Sequence, residues 1–125
     1  MNTTASAKRD ITDPSDIRLL VDTFYHRARI DDLLAPIFSG RFANKSLEPL
    51  YRYWESVLLQ NAVNHDLPFP KHADMPLTHQ HFDRWLSIFL QIVDELFQGG
   101  VAEAAKVRAI KMSEVFRYKM ELNNF

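Results

Sequence analysis

The sequence predicts an all-α fold, on three observations. Apolar residues recur at spacings of three and four in four separate stretches, no stretch alternates convincingly with a period of two, and proline, glycine and asparagine gather between the stretches. No internal repeat interrupts this pattern, so helices packed on helices are the expected layers.

Taken in order, residues 14–30 place Ile17, Leu20, Val21, Phe24, Tyr25 and Ala28 on one stripe, and Asp13 before Pro14 supplies a start signal. Asp31 to Lys45 carries Pro36, Gly40 and Asn44 and reads as a connector. Leu33, Leu34, Ile37, Phe38 and Phe42 make it apolar enough to pack inward. A second helix is expected from Asn44 or Ser46, with Pro49 in its first turn and Leu47, Leu50, Tyr51, Trp54, Val57 and Leu58 on one face, fading near Asn61. Asn64, Pro68, Pro70 and Pro76 then oppose regular structure up to Thr78, which is suited to cap a third helix. That helix lays Phe82, Trp85, Leu86, Phe89, Val93, Leu96 and Phe97 at helical spacing and ends at Gly99-Gly100. A last helix runs from about Val101 to Glu121 with Val101, Ala105, Met112, Val115 and Phe116 inward.

The 125 residues fit one soluble domain spanning residues 1–125, of which residues 1–13 read as a polar N-terminal extension. Fifteen basic against 16 acidic residues leave no electrostatic grip for nucleic acid or anionic lipid. The N-terminus lacks an apolar signal region and no run is long enough to cross a bilayer, so a cytoplasmic protein without membrane association is expected. The absence of cysteine removes disulfides, thiolate metal ligands and covalent haem attachment. Any metal would have to use His, Asp, Glu or Tyr.

Nine phenylalanines, four tyrosines and two tryptophans are a generous supply for so short a chain. Pattern alone leaves two readings open, a packed aromatic core and a pocket for a flat cofactor. The histidines bear on the choice. His72, His79 and His81 cluster in sequence, but their spacing does not give the pair at i and i+4 that a helical zinc site uses. His79 and His81 fall in a first helical turn on different faces and are expected at the surface. His26 and His65 do not stand out. His72, in an irregular loop beside the aromatic helices, differs because one imidazole alone suffices as the axial ligand of haem iron.

Five motifs in this order and spacing, Phe24-Tyr25, Asp32-Leu33-Leu34-Ala35-Pro36-Ile37-Phe38, Tyr53-Trp54-Glu55-Ser56-Val57-Leu58-Leu59, His72-Ala73-Asp74-Met75-Pro76-Leu77 and His81-Phe82-Asp83-Arg84-Trp85-Leu86, resemble the third group of the truncated haemoglobins. The similarity runs from about Asp16 to Phe116, and the early loops lack the glycine pairs of the other truncated groups. The resemblance implies a two-on-two helical sandwich around non-covalent haem b. In it His72 corresponds to the proximal iron ligand, Tyr25 and Trp85 to the distal hydrogen-bond donors, and Phe38 to the ring packed on the porphyrin. Leu50, Trp54, Met75, Phe82 and Phe89 are expected pocket walls, Phe82 and Phe89 on helical position more than on family precedent. One departure is Ser46, where the family often carries a distal histidine; a simpler role for Ser46 is helix capping. Lys71 is a candidate propionate partner, with a solvated lysine as the plainer reading.

The implied function is binding of O2 and other diatomic ligands (CO, NO), with processing of NO or peroxide as the activity that tight ligand retention suits. An unidentified reductase is the implied protein partner. Whether turnover occurs is open from sequence, and a haem-dependent gas or redox sensor or interaction module without turnover is the alternative function.

Overall fold

The computed structural model describes residues 8–41, 47–59 and 78–123. Among the described residues there is no strand. They form α1 (Pro14–Ile30), a π-helical turn (Pro36–Arg41), α2 (Glu48–Leu58), α3 (His79–Leu96) and α4 (Gly100–Asn123). α1 packs on the π turn, α2 and α3, while α4 packs on α3 and reaches α2, which gives a pair of helices laid over a second pair.

α1 begins where the sequence places it, and for the stated reason. Asp13 accepts from the backbone N–H of Asp16 at 3.2 Å, Asp16 accepts in return from Asp13 N–H at 3.3 Å, and Pro14 occupies the first turn, where its missing N–H costs nothing. All six residues of the expected stripe are buried. The helix stops at Asp31, whose carboxylate turns back to accept the N–H groups of Leu33 and Leu34, each at 3.0 Å. This side-chain turn starts the connector. Leu34 and Ile37 are buried and Phe38 is partly so, as the apolar composition demands. The wide π turn, unforeseen in the sequence, carries Ile37 and Phe38.

α2 starts at Glu48 with Pro49 in its first turn; its Leu47 cap makes no side-chain bond, and the alternative start positions Asn44 and Ser46 lie outside the described residues. It ends at Leu58, ahead of the expected limit near Asn61. Tyr53 and Trp54 are both buried, so the inner face is wider than the predicted stripe, which omitted Tyr53.

Thr78 caps α3 as expected, but its reciprocal partner is a histidine. His81 Nδ1 accepts from Thr78 N–H at 2.9 Å, the place a Glu or Gln usually fills. His81 is therefore half-buried and not the free surface residue expected, and burial lowers its pKa, consistent with a neutral acceptor. His79 is exposed as expected, within 3.4 Å of Glu121.

α4 departs from its prediction in one residue. Val115 is 41 % exposed and does not face inward. The buried face runs through Ala102, Ala105, Ala109, Met112, Ser113 and Phe116, because three alanines let the helix sit close against α3 and move the inner stripe away from Val115.

Residues 8–13 belong to the fold, where composition alone suggested a polar extension. Ile11 is 2 % exposed. Asp10 accepts from Val101 N–H at 2.9 Å and Ala102 N–H at 2.8 Å, capping α4 from a distance in sequence. Burial opposes ionisation of Asp10, but these N–H groups and that of Ile11 outweigh it and hold the pKa low. Gly99 makes the approach possible: it sits at φ 146°, and a Cβ there would lie 2.4 Å from Asp10 Cγ. Arg9 forks onto the buried Asp16 with contacts of 2.8 and 2.5 Å, and its carbonyl accepts from Gln98 N–H at 3.0 Å. The segment thus clamps the start of α1 to the α3–α4 corner.

Candidate functional site: an aromatic wall between α1, α2 and α3

The helical spacings that bury α1, α2 and α3 bring their aromatic residues into one continuous assembly. Phe24 is the hub. Its ring meets Phe38 at 6.1 Å, Trp85 at 5.8 Å and Phe89 at 6.0 Å, all edge to face. Tyr25 meets Phe38 edge-on at 5.6 Å. Phe89 lies between two indoles, stacked on Trp54 at 5.0 Å and on Trp85 at 5.9 Å. Of the residues singled out from sequence, Tyr25, Phe38, Trp54, Trp85 and Phe89 are therefore united. Phe24 and Tyr53 complete the set. Both belong to motifs quoted for the family resemblance, Phe24 beside Tyr25 and Tyr53 beside Trp54, but sequence reasoning assigns neither to the site; Tyr53 lies 5.5 Å from Trp54.

Phe82 joins more remotely, through Phe116, which touches both Phe82 and Trp85. Leu50 is partly buried against the core. His72 and Met75 lie outside the described residues, as do Ser46 and Lys71. Among the described residues no three His, Asp or Glu side chains converge to hold a metal ion.

The assembly has depth. Trp54 and Phe89 are 3 % and 2 % exposed and act as packed core, whereas Phe38, Leu47, Leu50, Trp85 and Leu86 are only partly buried although packed against that core. Three elements, the π turn, α2 and α3, therefore carry apolar side chains that are incompletely covered. A phenol and an indole N–H belong to the same assembly. Tyr25 is 8 % exposed, and burial raises its pKa, offset in part by Arg29, whose guanidinium carbon lies 5.9 Å from the ring centroid. The phenol accordingly stays protonated at neutral pH and can donate a hydrogen bond. An apolar aromatic wall with two polar tips suits a flat apolar group carrying a small polar ligand, so the residues present fit a haem face.

The residues beside Tyr25 and Trp85 are also linked by charge. Arg84, next to Trp85, binds Asp31 at 2.6 Å and Asp32 at 3.2 Å at the end of the helix that carries Tyr25. For Asp31, burial pushes the pKa up, but the Leu34 N–H, Arg84 and the Leu33 N–H pull it down further, so the carboxylate stays ionised. Arg27 and Glu95 add a second ion pair between α1 and α3.

The family model of the bacterial-like globins matches residues 10–122. Among curated proteins, the chain is 23 % identical over 117 residues to the group 3 truncated hemoglobin ctb of Campylobacter jejuni, covering 88 % of this chain and 92 % of that one. Among solved structures, the group III truncated hemoglobin from Campylobacter jejuni superposes with a TM-score of 0.75 at 22 % identity, over 90 % of this chain and 94 % of the other. The helix pairs described above are thus a truncated-globin fold, and the third-group resemblance read from the motifs agrees with both relatives. Among the described residues no helix is long and apolar enough to cross a membrane.

Proposed function

This chain belongs to the bacterial-like globins, a family of haem-dependent ligand binders, and on that premise we propose that it holds haem b non-covalently and binds O2, CO and NO at the iron. The single observation that carries this reading is the incompletely covered aromatic wall with the buried Tyr25 phenol in edge contact with Phe38.

Haem supplies an iron with one coordination position open to a diatomic ligand. The rest is the work of side chains. His72 would hold the iron through a ring nitrogen of its neutral imidazole. Tyr25 and Trp85 would donate hydrogen bonds to the ligand. Partial negative charge on that ligand makes such bonds charge-assisted, so O2 gains more than CO. Phe38, Leu50 and Trp85 would line the porphyrin and exclude water, while Trp54 and Phe89 buttress the wall from behind. Strong retention of O2 favours oxidation of NO or activation of peroxide over rapid oxygen delivery, with a reductase required to return the iron to the ferrous state. We assign this chemistry to the cytoplasm.

The test is the visible spectrum of haem-loaded protein, wild type against His72→Gly. A sharp Soret band that shifts with CO in the wild type and is altered in the variant is expected. Identical spectra and identical CO affinity for both proteins would overturn the assignment of His72 as iron ligand.

A further inference from the structure

A helix that packs with one face against the protein ordinarily turns polar side chains to solvent; α4 does so too, with Lys111 and Glu114 among them, but it also exposes four large apolar side chains. Val107, Ile110, Val115 and Tyr118 are 53, 40, 41 and 62 % exposed. At 100° per residue, Val107, Glu114 and Tyr118 fall within about 30° of the direction opposite the buried Ala105, Ala109, Met112 and Phe116, and Lys111 lies about 50° from it. Ile110 lies about 50° from this line on the side away from Lys111, and Val115 about 90° from it, at the edge of the exposed face. Lys111 and Glu114 make no hydrogen bond or ion pair among the described residues. Their neighbours off this line do: Lys106 binds Asp94 and Glu103, and Arg117 binds Asp83.

The order of these residues has a symmetry. Turning the helix end for end about the point midway between Met112 and Ser113 exchanges Val107 with Tyr118, Ile110 with Val115 and Lys111 with Glu114. Each apolar position maps onto an apolar one, and the cation maps onto the anion. In a two-fold dimer every contact occurs twice, residue i of one copy meeting residue j of the other and the reverse, so a cation that maps onto an anion is matched in both places. We infer that the outer face of α4 pairs antiparallel with α4 of a second copy of this chain. Val107 then packs on Tyr118 of the other copy at both ends, and Lys111 meets Glu114 of the other copy twice at the centre. Parallel pairing would set Lys111 against Lys111 and Glu114 against Glu114, which like-charge repulsion opposes. One helix face is a small interface, so the dimer forms weakly, in the micromolar to millimolar range.

The test is sedimentation equilibrium or light scattering of the full haem-loaded chain over rising concentration at low salt. The mass should climb from that of one chain toward two, and added salt should oppose the climb. Val107→Glu with Tyr118→Glu should abolish association. Lys111→Glu alone should weaken it about tenfold or more, and adding Glu114→Lys should restore it, since the exchanged charges pair again. These side chains are exposed, so thermal melts and the haem spectrum of every variant should match the wild type. A protein that stays monomeric throughout, or a dimer indifferent to both sets of substitutions, overturns the inference and leaves the face to a different partner.

Discussion

Replacing Tyr25 by Phe separates the hydroxyl from the ring. Tyr25 is 8 % exposed, and its ring contacts with Phe38 and Arg29 involve the face and edge that phenylalanine keeps, so the wall should hold its shape. The fold should lose no more than the worth of one neutral hydrogen bond, about 0.5–1.5 kcal/mol. The ligand should lose more. A hydrogen bond to a partly negative acceptor contributes about 1.5–3 kcal/mol, and a buried, low-dielectric setting favours the upper half of that range. By the usual conversion the release rate of O2 should rise on the order of 10- to 150-fold, because changes at a formed site act mainly on dissociation. CO carries less charge, and its release should change by no more than about threefold. Stopped-flow replacement of O2 by CO, and of CO by NO, measures both rates. Equal acceleration of the two ligands would refute the donor role and make the phenol a steric element only.

Trp85→Phe should also speed O2 release more than CO release, and the double variant with Tyr25→Phe should be non-additive if both donors share one acceptor, as a mutant cycle of release rates would reveal. Gly99→Ala should cost roughly 1–3 kcal/mol of stability, read from denaturant midpoints, because its φ of 146° and the 2.4 Å approach to Asp10 leave no room for a methyl group. Asp16 titrates well below the ordinary carboxylate range, chiefly because Arg9 binds it, with Thr12 and Asp13 N–H groups helping against the effect of burial. A depressed folded pKa gives stability that is present above the unfolded value of 3.8 and lost as pH falls through the folded one. Urea unfolding from neutral pH into acid should therefore show a steeper loss for wild type than for Asp16→Asn; parallel curves would remove Asp16 from the acid response.

Helix existence was legible because each helix has its own periodic stripe and, for α1 and α3, a cap that acts locally. Asp13, Pro14 and Thr78 sit within one turn of the groups they serve, and both starts came out where the sequence put them. What escaped was non-local. Nothing near Asp10 announces that its acceptors face Val101 and Ala102, ninety residues on, so residues 8–13 read as an extension when they are a clamp. His81 was read as a surface group because a histidine in the reciprocal capping position has no familiar signature. Val115 was placed inward on its spacing alone, whereas the small Ala105 and Ala109 decide how close α4 sits and hence which side is covered. The candidate site was legible in its aromatic membership, since Tyr25, Phe38, Trp54, Trp85 and Phe89 do converge, but the hub position of Phe24 depends on the angle between α1 and α3, which no single stripe encodes.

The distribution of charge gives that convergence its precision. α1 is fastened at its start by Arg9 on Asp16 and at its end by Arg84 on Asp31, with Arg27 on Glu95 in the last turn. Surface ion pairs contribute little to net stability, about 0–1 kcal/mol each. Their effect here is geometric. Apolar contacts between α1 and α3 are non-directional and would tolerate sliding or rotation, whereas a forked guanidinium and a carboxylate that also accepts two backbone N–H groups have one satisfactory arrangement. Tyr25 lies between the two fastenings, and Trp85 follows the arginine of the second. The register of the phenol relative to the indole is thus set by polar groups outside the aromatic wall. The wall itself can then stay apolar, with no ion pair inside it needed to hold Tyr25 and Trp85 in place.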